Sequence, residues 1–313
     1  MAVTSLVPHS KGKSIIMTIK PAVMRRGFSV NVFLPSGDPE GLKVIEKSNW
    51  TGHGLVIPRS MFGESKTRNE LERTGLYILI GPDESTAWPK LYVGEGDPVK
   101  PRLEQHAKLK DFWTHAVIFT SKDANLNKAH VQRLESRLVG LAKAAKRCVL
   151  DNVNEPSPPS LSESDEAMAE GFLDDVLLCL PILGYSMFEM AALSLSRNDN
   201  SSFMISTKGI VAHGHDAPSG FIVFEKSQAV GESKLTPSLN KHYPYVKEQR
   251  DELIRQGVLV QSGEDYVFTM DYPFSSPSMA STIVAGRVSN GRTEWKTKDG
   301  KTLKEIQDAE ITE

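Results

Sequence analysis

The chain has 313 residues, 39% of them hydrophobic and 24% charged, enough to bury a sizeable core and, by length, to form two ordinary domains. A net charge of −2 argues against a protein that coats nucleic acid by bulk charge, and two cysteines, Cys148 and Cys179, exclude a disulfide framework or a cysteine-rich zinc site. No apolar run approaches the roughly 20 residues that span a bilayer, and the N-terminal MAVTSLVPHSKGKS carries no compact apolar signal core, so no membrane partner and a cytoplasmic location are expected.

Residues 1–70 mix a strand, SVNVFLP, with the turn SGDPEG and a second apolar stretch, GLVIPRSMF, and carry no chemistry that the sequence defines. GLYILIG, KLYVG and HAVIFTS then read as three strands. After Asn125 the period becomes helical, with Val131, Leu134, Leu138, Leu141 and Ala145 on one stripe. Strand, strand, short helix, strand, long helix predicts a small α+β module over 71–155. A Pro/Ser-rich stretch opens the segment 156–200, which reads as a linker leading to an acidic amphipathic helix with Met168, Phe172, Val176 and Leu180 on one face. Its acidic face is expected to be solvated, with a docking face or a polyanion mimic as the other readings. Residues 201–313 form a second α+β unit: strands FMIS, GIVAHG and GFIVF, the helix VKEQRDELIRQG closed by Gly257, and a hairpin around SGED. The run HGHD, His213 to Asp216, reads as a turn between two strands and lacks a third metal ligand, and both cysteines read as core residues.

Charge is unevenly spread. Asp83 to Arg147 holds twelve Lys/Arg against eight Asp/Glu, Cys148 to Asn200 one against ten, and Gly286 to Lys304 six against two. A polyanion would touch the first and third of these regions. Lys108, Lys110 and Lys122 in the first, and Arg292, Trp295 and Lys296 in the third, are the candidate nucleic-acid contacts. Phe112 and Trp113 are expected in the core rather than on bases.

Strand alternation puts Leu76, Ile78 and Ile80 opposite Tyr77 and Leu79, and Leu91 and Val93 opposite Tyr92, so a hairpin that pairs its aliphatic sides places both phenols on one face. The connection Pro82 to Lys90 is too long to set the register. Asp97 and Pro98 are expected to cap and open a helix on which Arg102 and His106 share a face. Glu135 sits at the edge of the apolar stripe, where a carboxylate must be paired with Arg102 or Arg133, hydrogen-bonded or metal-bound.

These residues together resemble the GIY-YIG nuclease family. The two triplets are Gly75-Leu76-Tyr77 and Tyr92-Val93-Gly94, followed by Arg102 ten residues after the second Tyr, His106 four later, Glu135, and a downstream Asn at Asn152, with Asn154 its competitor. The insertion PDESTAWPK between the triplets departs from the pattern. The resemblance covers Thr74 to Asn154 and implies a module on a three-stranded, mostly antiparallel sheet flanked by helices. It implies DNA as substrate and a divalent cation, Mg²⁺ or Mn²⁺, on Glu135. It also implies Arg102 on the phosphate, and Tyr77 or Tyr92 as the base, Tyr77 slightly ahead, made acidic by cation and guanidinium. His106 would assist, and Asn152 would hold Glu135 or the phosphate or serve as a turn residue. A dimer or two successive nicks would cut both strands. The C-terminal SPSMA, SNGRTEW and DG features resemble a domain of unknown function often appended to GIY-YIG modules. A nucleic-acid-binding or regulatory protein that keeps the fold without cutting is the alternative.

Overall fold

The computed structural model describes residues 27–86, 88–123, 125–153, 156–189, 202–218 and 220–312. The N-terminal stretch 1–26, Asn154 and residues 190–201, which hold the tail of the 156–200 segment, lie outside them. The fold is α+β. Its N-terminal unit contains β1 (Val30–Phe33), β2 (Lys43–Lys47), β3 (Gly52–Pro58), α1 (Phe62–Ser65), β4 (Gly75–Pro82), β5 (Pro89–Gly96), α2 (Lys100–Leu109), β6 (His115–Ser121), α3 (Lys128–Ala145), β7 (Val149–Leu150) and α4 (Glu163–Ile182).

Among the described residues these strands make one seven-stranded sheet, ordered β1-β2-β3-β6-β4-β5-β7, rather than the three-stranded sheet expected. The expected three form its centre: β4 pairs antiparallel with both β5 and β6. Residues from the N-terminal segment join because the apolar run of β3 pairs antiparallel with β6 along its whole length, from Gly52↔Ser121 to Pro58↔His115. β7 is too short to show a period in sequence; it pairs parallel with β5.

Alternation along the strands gives the sheet two apolar faces. On one, Leu76, Ile78, Ile80, Leu91, Val93 and Phe119 meet Val131, Leu134 and Leu138 of α3. On the other, Tyr77, Leu79, Leu55, Ile57 and Ile118 meet Val99 and Leu103 of α2, with Trp113. Each such aliphatic side chain contributes about 1.5–3 kcal/mol on burial. α3 starts in a capping box: Asn127 accepts from the His130 amide at 3.0 Å, and the His130 ring accepts from the Asn127 amide at 3.3 Å. α2 starts at Lys100, three residues after Asp97, because the Asp97 carboxylate accepts from Thr74 Oγ1 at 2.6 Å and caps nothing. At the other end, the Arg59 guanidinium donates to the Lys110 and Ala107 carbonyls at 2.7 and 3.2 Å, so the N-terminal strands hold the last turn of α2.

α4, the expected acidic amphipathic helix, packs on this unit. Ser162 caps it, and Phe172, Val176, Cys179 and Leu180 enter the core against α3, while Met168 stays exposed. Its acidic face is engaged inside the molecule: Glu166 pairs with Arg133, Glu170 with Arg137 at 2.8 Å, and Asp175 with Lys47 at 3.0 Å.

The C-terminal unit contains β8 (Phe203–Thr207), β9 (Ile210–Ala217), β10 (Gly220–Val223), β11 (Gln228–Ala229), α5 (Pro237–His242), α6 (Pro244–Arg255), β12 (Leu259–Ser262), β13 (Asp265–Phe268), β14 (Tyr272–Phe274), α7 (Pro277–Ala285), α8 (Gly291–Glu294) and α9 (Leu303–Thr312). Two small sheets, β14-β10-β9-β8 and β11-β13-β12, share one core. HGHD lies inside β9 rather than in a turn. The SGED hairpin closes through Gly263 at φ 66°, and Ser276 caps α7 as its Ser-Pro start requires.

Removing the Phe172 ring from its place between α4 and the sheet tests the packing of α4. Phe172→Ala is expected to lower unfolding free energy in urea by about 3–5 kcal/mol. A change within about 0.5 kcal/mol is what a solvated linker helix would give.

Candidate active site

The β4–β5 register sets Tyr77 opposite Gly94 and Leu79 opposite Tyr92, which puts the two phenols diagonally on one face, ring centroids 6.3 Å apart. Gly94 is required there, because a Cβ in its place would overlap the Tyr77 phenol. α2 lies over that face and lowers His106 between the tyrosines. The His106 Nε2 is 2.9 Å from the Tyr77 hydroxyl, and the ring centroid is 4.7 Å from that of Tyr92. Tyr77 is fully buried, whereas Tyr92 lines a cleft of about 360 Å³ with His106, Lys110, Glu135, Asp151 and Asn152.

Burial dominates the protonation of this cluster. It pushes the Tyr77 phenol far above its usual range, helped by Tyr92 and opposed by Arg102. Tyr92 is also raised by burial, with Arg102 opposing and Glu135 reinforcing the shift. Of the two groups expected to make a phenol acidic, the Arg102 guanidinium alone is outweighed by desolvation. His106 is pushed down to about 4, first by burial and then by Arg102 and Lys110, so its ring is neutral near pH 7.

Glu135 forms neither of the ion pairs expected for it. Arg133 is committed to Glu166 and Glu170, and the Arg102 guanidinium donates to Gln105 at 3.0 Å. Among the described residues the Glu135 carboxylate has no hydrogen-bond or ion-pair partner. Burial, then the nearby Glu95, pushes it up to about 7, with Arg102 and Lys128 opposing. Glu95 is itself paired with Lys128 at 2.6 Å. An unpaired carboxylate at a cleft fits a hard cation that takes its remaining ligands from water and phosphate oxygens. Among the described residues no group of three or more His, Cys, Asp or Glu gathers to hold a metal, at this cleft or elsewhere, so Glu135 would be a lone carboxylate ligand.

Asn152 is near the site but its amide is used on the backbone. It accepts from Val93 N at 3.0 Å and donates to Val93 O at 2.8 Å, continuing the β5–β7 pairing past Asp151, whose amide donates to Leu91 O at 2.7 Å. It therefore holds the strand that carries Tyr92, not Glu135 or a phosphate. Lys110 stands in the cleft rather than on a free surface, its ammonium 4.3 Å above the Tyr92 ring and paired with Asp151, which also pairs with Lys90 at 3.1 Å. Asp151 was not read as a site residue; its only sequence signal is its place beside Asn152, and β7 is too short to read.

The other expected contacts disperse. Lys108 is exposed on the last turn of α2, and Lys122 pairs with Glu46 at 2.5 Å beyond the end of β6, outside the cleft. Trp295 is fully buried, stacked on Phe221 at 4.3 Å with its Nε1 donating to Pro277 O at 3.0 Å, which removes it as a base-stacking residue. Arg292 is engaged by Gln307 and Asp308 at 2.8 and 2.7 Å, while Lys296 remains exposed. Trp113 is core, Phe112 packs at its edge, and the cysteines are buried and free.

The folded protein binds the Glu135 proton more tightly than the unfolded chain does, so stability from this residue is full below the ordinary carboxylate value of 4.5 and is lost as pH rises through about 7. Glu135→Gln removes the cost of the unpaired charge. Without metal, its thermal midpoint is expected above that of the wild type at pH 8 and level with it at pH 5, as calorimetry at the two pH values would show.

Residues 203–307 match the family model of a domain of unknown function (DUF4357), in line with the C-terminal resemblance. The match leaves the GIY-YIG resemblance of the N-terminal unit without a family model behind it. No curated protein and no solved structure shows a significant match to the chain.

Proposed function

We propose that the N-terminal unit is a metal-dependent endonuclease of GIY-YIG type that hydrolyses phosphodiester bonds in DNA. The observation that carries this reading is the unpaired Glu135 carboxylate at a cleft that also presents Tyr92, His106 and the Lys110 ammonium. A carboxyl that gains full charge when a cation binds at one wall and an ammonium at another suit a phosphodiester with a cation beside it. A divalent ion on Glu135, Mg²⁺ or Mn²⁺, would supply Lewis acidity at the phosphate when bound.

The chain's own groups divide the remaining work. Arg102 and Lys110 hold phosphate oxygens, Arg102 by its fork and Lys110 as a point charge. Tyr92, not Tyr77, is the phenol that meets water, because Tyr92 opens on the cleft while Tyr77 is fully buried. The Tyr77 hydroxyl and the neutral His106 ring share a hydrogen bond that fixes the ring behind Tyr92. Asn152 keeps β5 straight against the cleft wall.

Wild type incubated with supercoiled plasmid and Mg²⁺ or Mn²⁺ is expected to nick or linearise it, and EDTA to stop the reaction. Glu135→Gln is expected to retain plasmid in a gel shift without cutting it. Cleavage by that variant would remove Glu135 and its cation from the mechanism, whereas no cleavage by either protein alongside equal DNA retention would replace this reading with that of a non-cleaving DNA-binding protein. Tyr92→Phe is expected to slow cleavage about 10²–10⁴-fold, and Tyr77→Phe by less, as single-turnover rates would show.

A further inference from the structure

The insertion PDESTAWPK, the departure from the GIY-YIG pattern, has a packing partner. Its first turn is closed by Asp83, which accepts from the Ser85 amide and hydroxyl at 2.9 and 2.6 Å. Trp88 then leaves the N-terminal unit and packs against the C-terminal core, its ring edge-on to Tyr272 at 6.2 Å and 72°. Two polar contacts lie alongside. Lys146, which ends α3 in the left-handed region at φ 51°, donates to the Gly257 carbonyl at 3.4 Å. The Gln256 amide donates to the Cys148 carbonyl at 3.5 Å. Burial raises the Tyr272 phenol, and the Arg147 guanidinium, from the same short stretch, opposes that rise.

Lys146, Arg147 and Cys148 lead directly into β7, and β7 leads into Asp151 and Asn152. A two-residue strand on a sheet edge holds itself poorly. This one has β5 on one side, and its entry is gripped by the C-terminal unit.

We propose that the matched C-terminal domain braces the strap from Lys146 to Asn152, so that the cleft wall forms only when that domain is docked through Trp88. Trp88 meets Tyr272 of the C-terminal unit, Lys146 and Cys148 of the strap meet Gly257 and Gln256 of the same unit, Asp151 anchors Lys110 over the Tyr92 ring, and Asn152 pins Val93. Trp88 is a positioning residue that touches nothing in the cleft. The brace also makes the C-terminal domain a place where a bound partner would be felt at the site. It holds whatever chemistry the cleft performs.

The test is amide hydrogen exchange on the full chain, read by mass spectrometry over residues 147–153, with Trp88→Ala and Trp88→Phe. Trp88→Ala is expected to speed exchange of this strap roughly tenfold while α3 keeps its protection, and Trp88→Phe, which retains a ring against Tyr272, to restore it. Unchanged exchange of the strap in Trp88→Ala overturns the proposal. If Trp88→Ala loses protection in α3 as well, the pair Lys146→Ala and Gln256→Ala decides: faster exchange confined to 147–153 supports the brace, and none overturns it. No cleavage enters this readout, so a failure of the nuclease reading and a failure of the brace are separate results.

Discussion

The site depends on the register in which β4 pairs with β5. That pairing sets Gly94 under the Tyr77 ring and sends Tyr92 to the same face two residues along the sheet. A one-residue slip of β5 against β4 would turn Tyr92 toward α3, leave the two phenols on opposite faces and bring the aliphatic side chains of β5 to the α2 side. The turn between the strands is too long to impose this register. It is imposed by β6 on the far side of β4 and the Asp151 and Asn152 contacts on the far side of β5, together with Gly94 within the hairpin, which makes room for a buried ring.

Burial sets the chemistry of the cluster as much as charge does. Desolvation raises both phenols and Glu135 and lowers His106, so each of these four groups leans toward its neutral form. In so poorly screened a setting, a charge placed near these groups would shift their protonation strongly. The Lys110–Asp151 pair gives the cleft a basic group that is already oriented over Tyr92.

The molecule also shows how a motif with a weak local signal acquires its support. The N-terminal strands, which carry no recognisable chemistry, extend the sheet and hold the last turn of α2 through Arg59. The acidic helix, which looks like a free surface by composition, is pinned to α3 by Arg133 and Arg137. The insertion that interrupts the motif carries the tryptophan that meets the C-terminal core.

The central strands, the long helix α3, the shared face of Tyr77 and Tyr92 and the placing of Arg102 and His106 on one helix face were legible because period 2 and period 3.6 are local properties of the chain. The strong start signals of α7 and the SGED hairpin were legible for the same reason. The seven-stranded sheet, the role of Asn152 as a backbone clamp, the presence of Asp151 in the cleft and the burial of Trp295 were not, because each depends on a partner far away in sequence. The sequence alone determined which residues carry polar groups and on which side of each element they stand. Only the tertiary structure decided which of those groups found partners and which, like Glu135, did not, since desolvation and pairing are set by packing between elements and not by spacing within them.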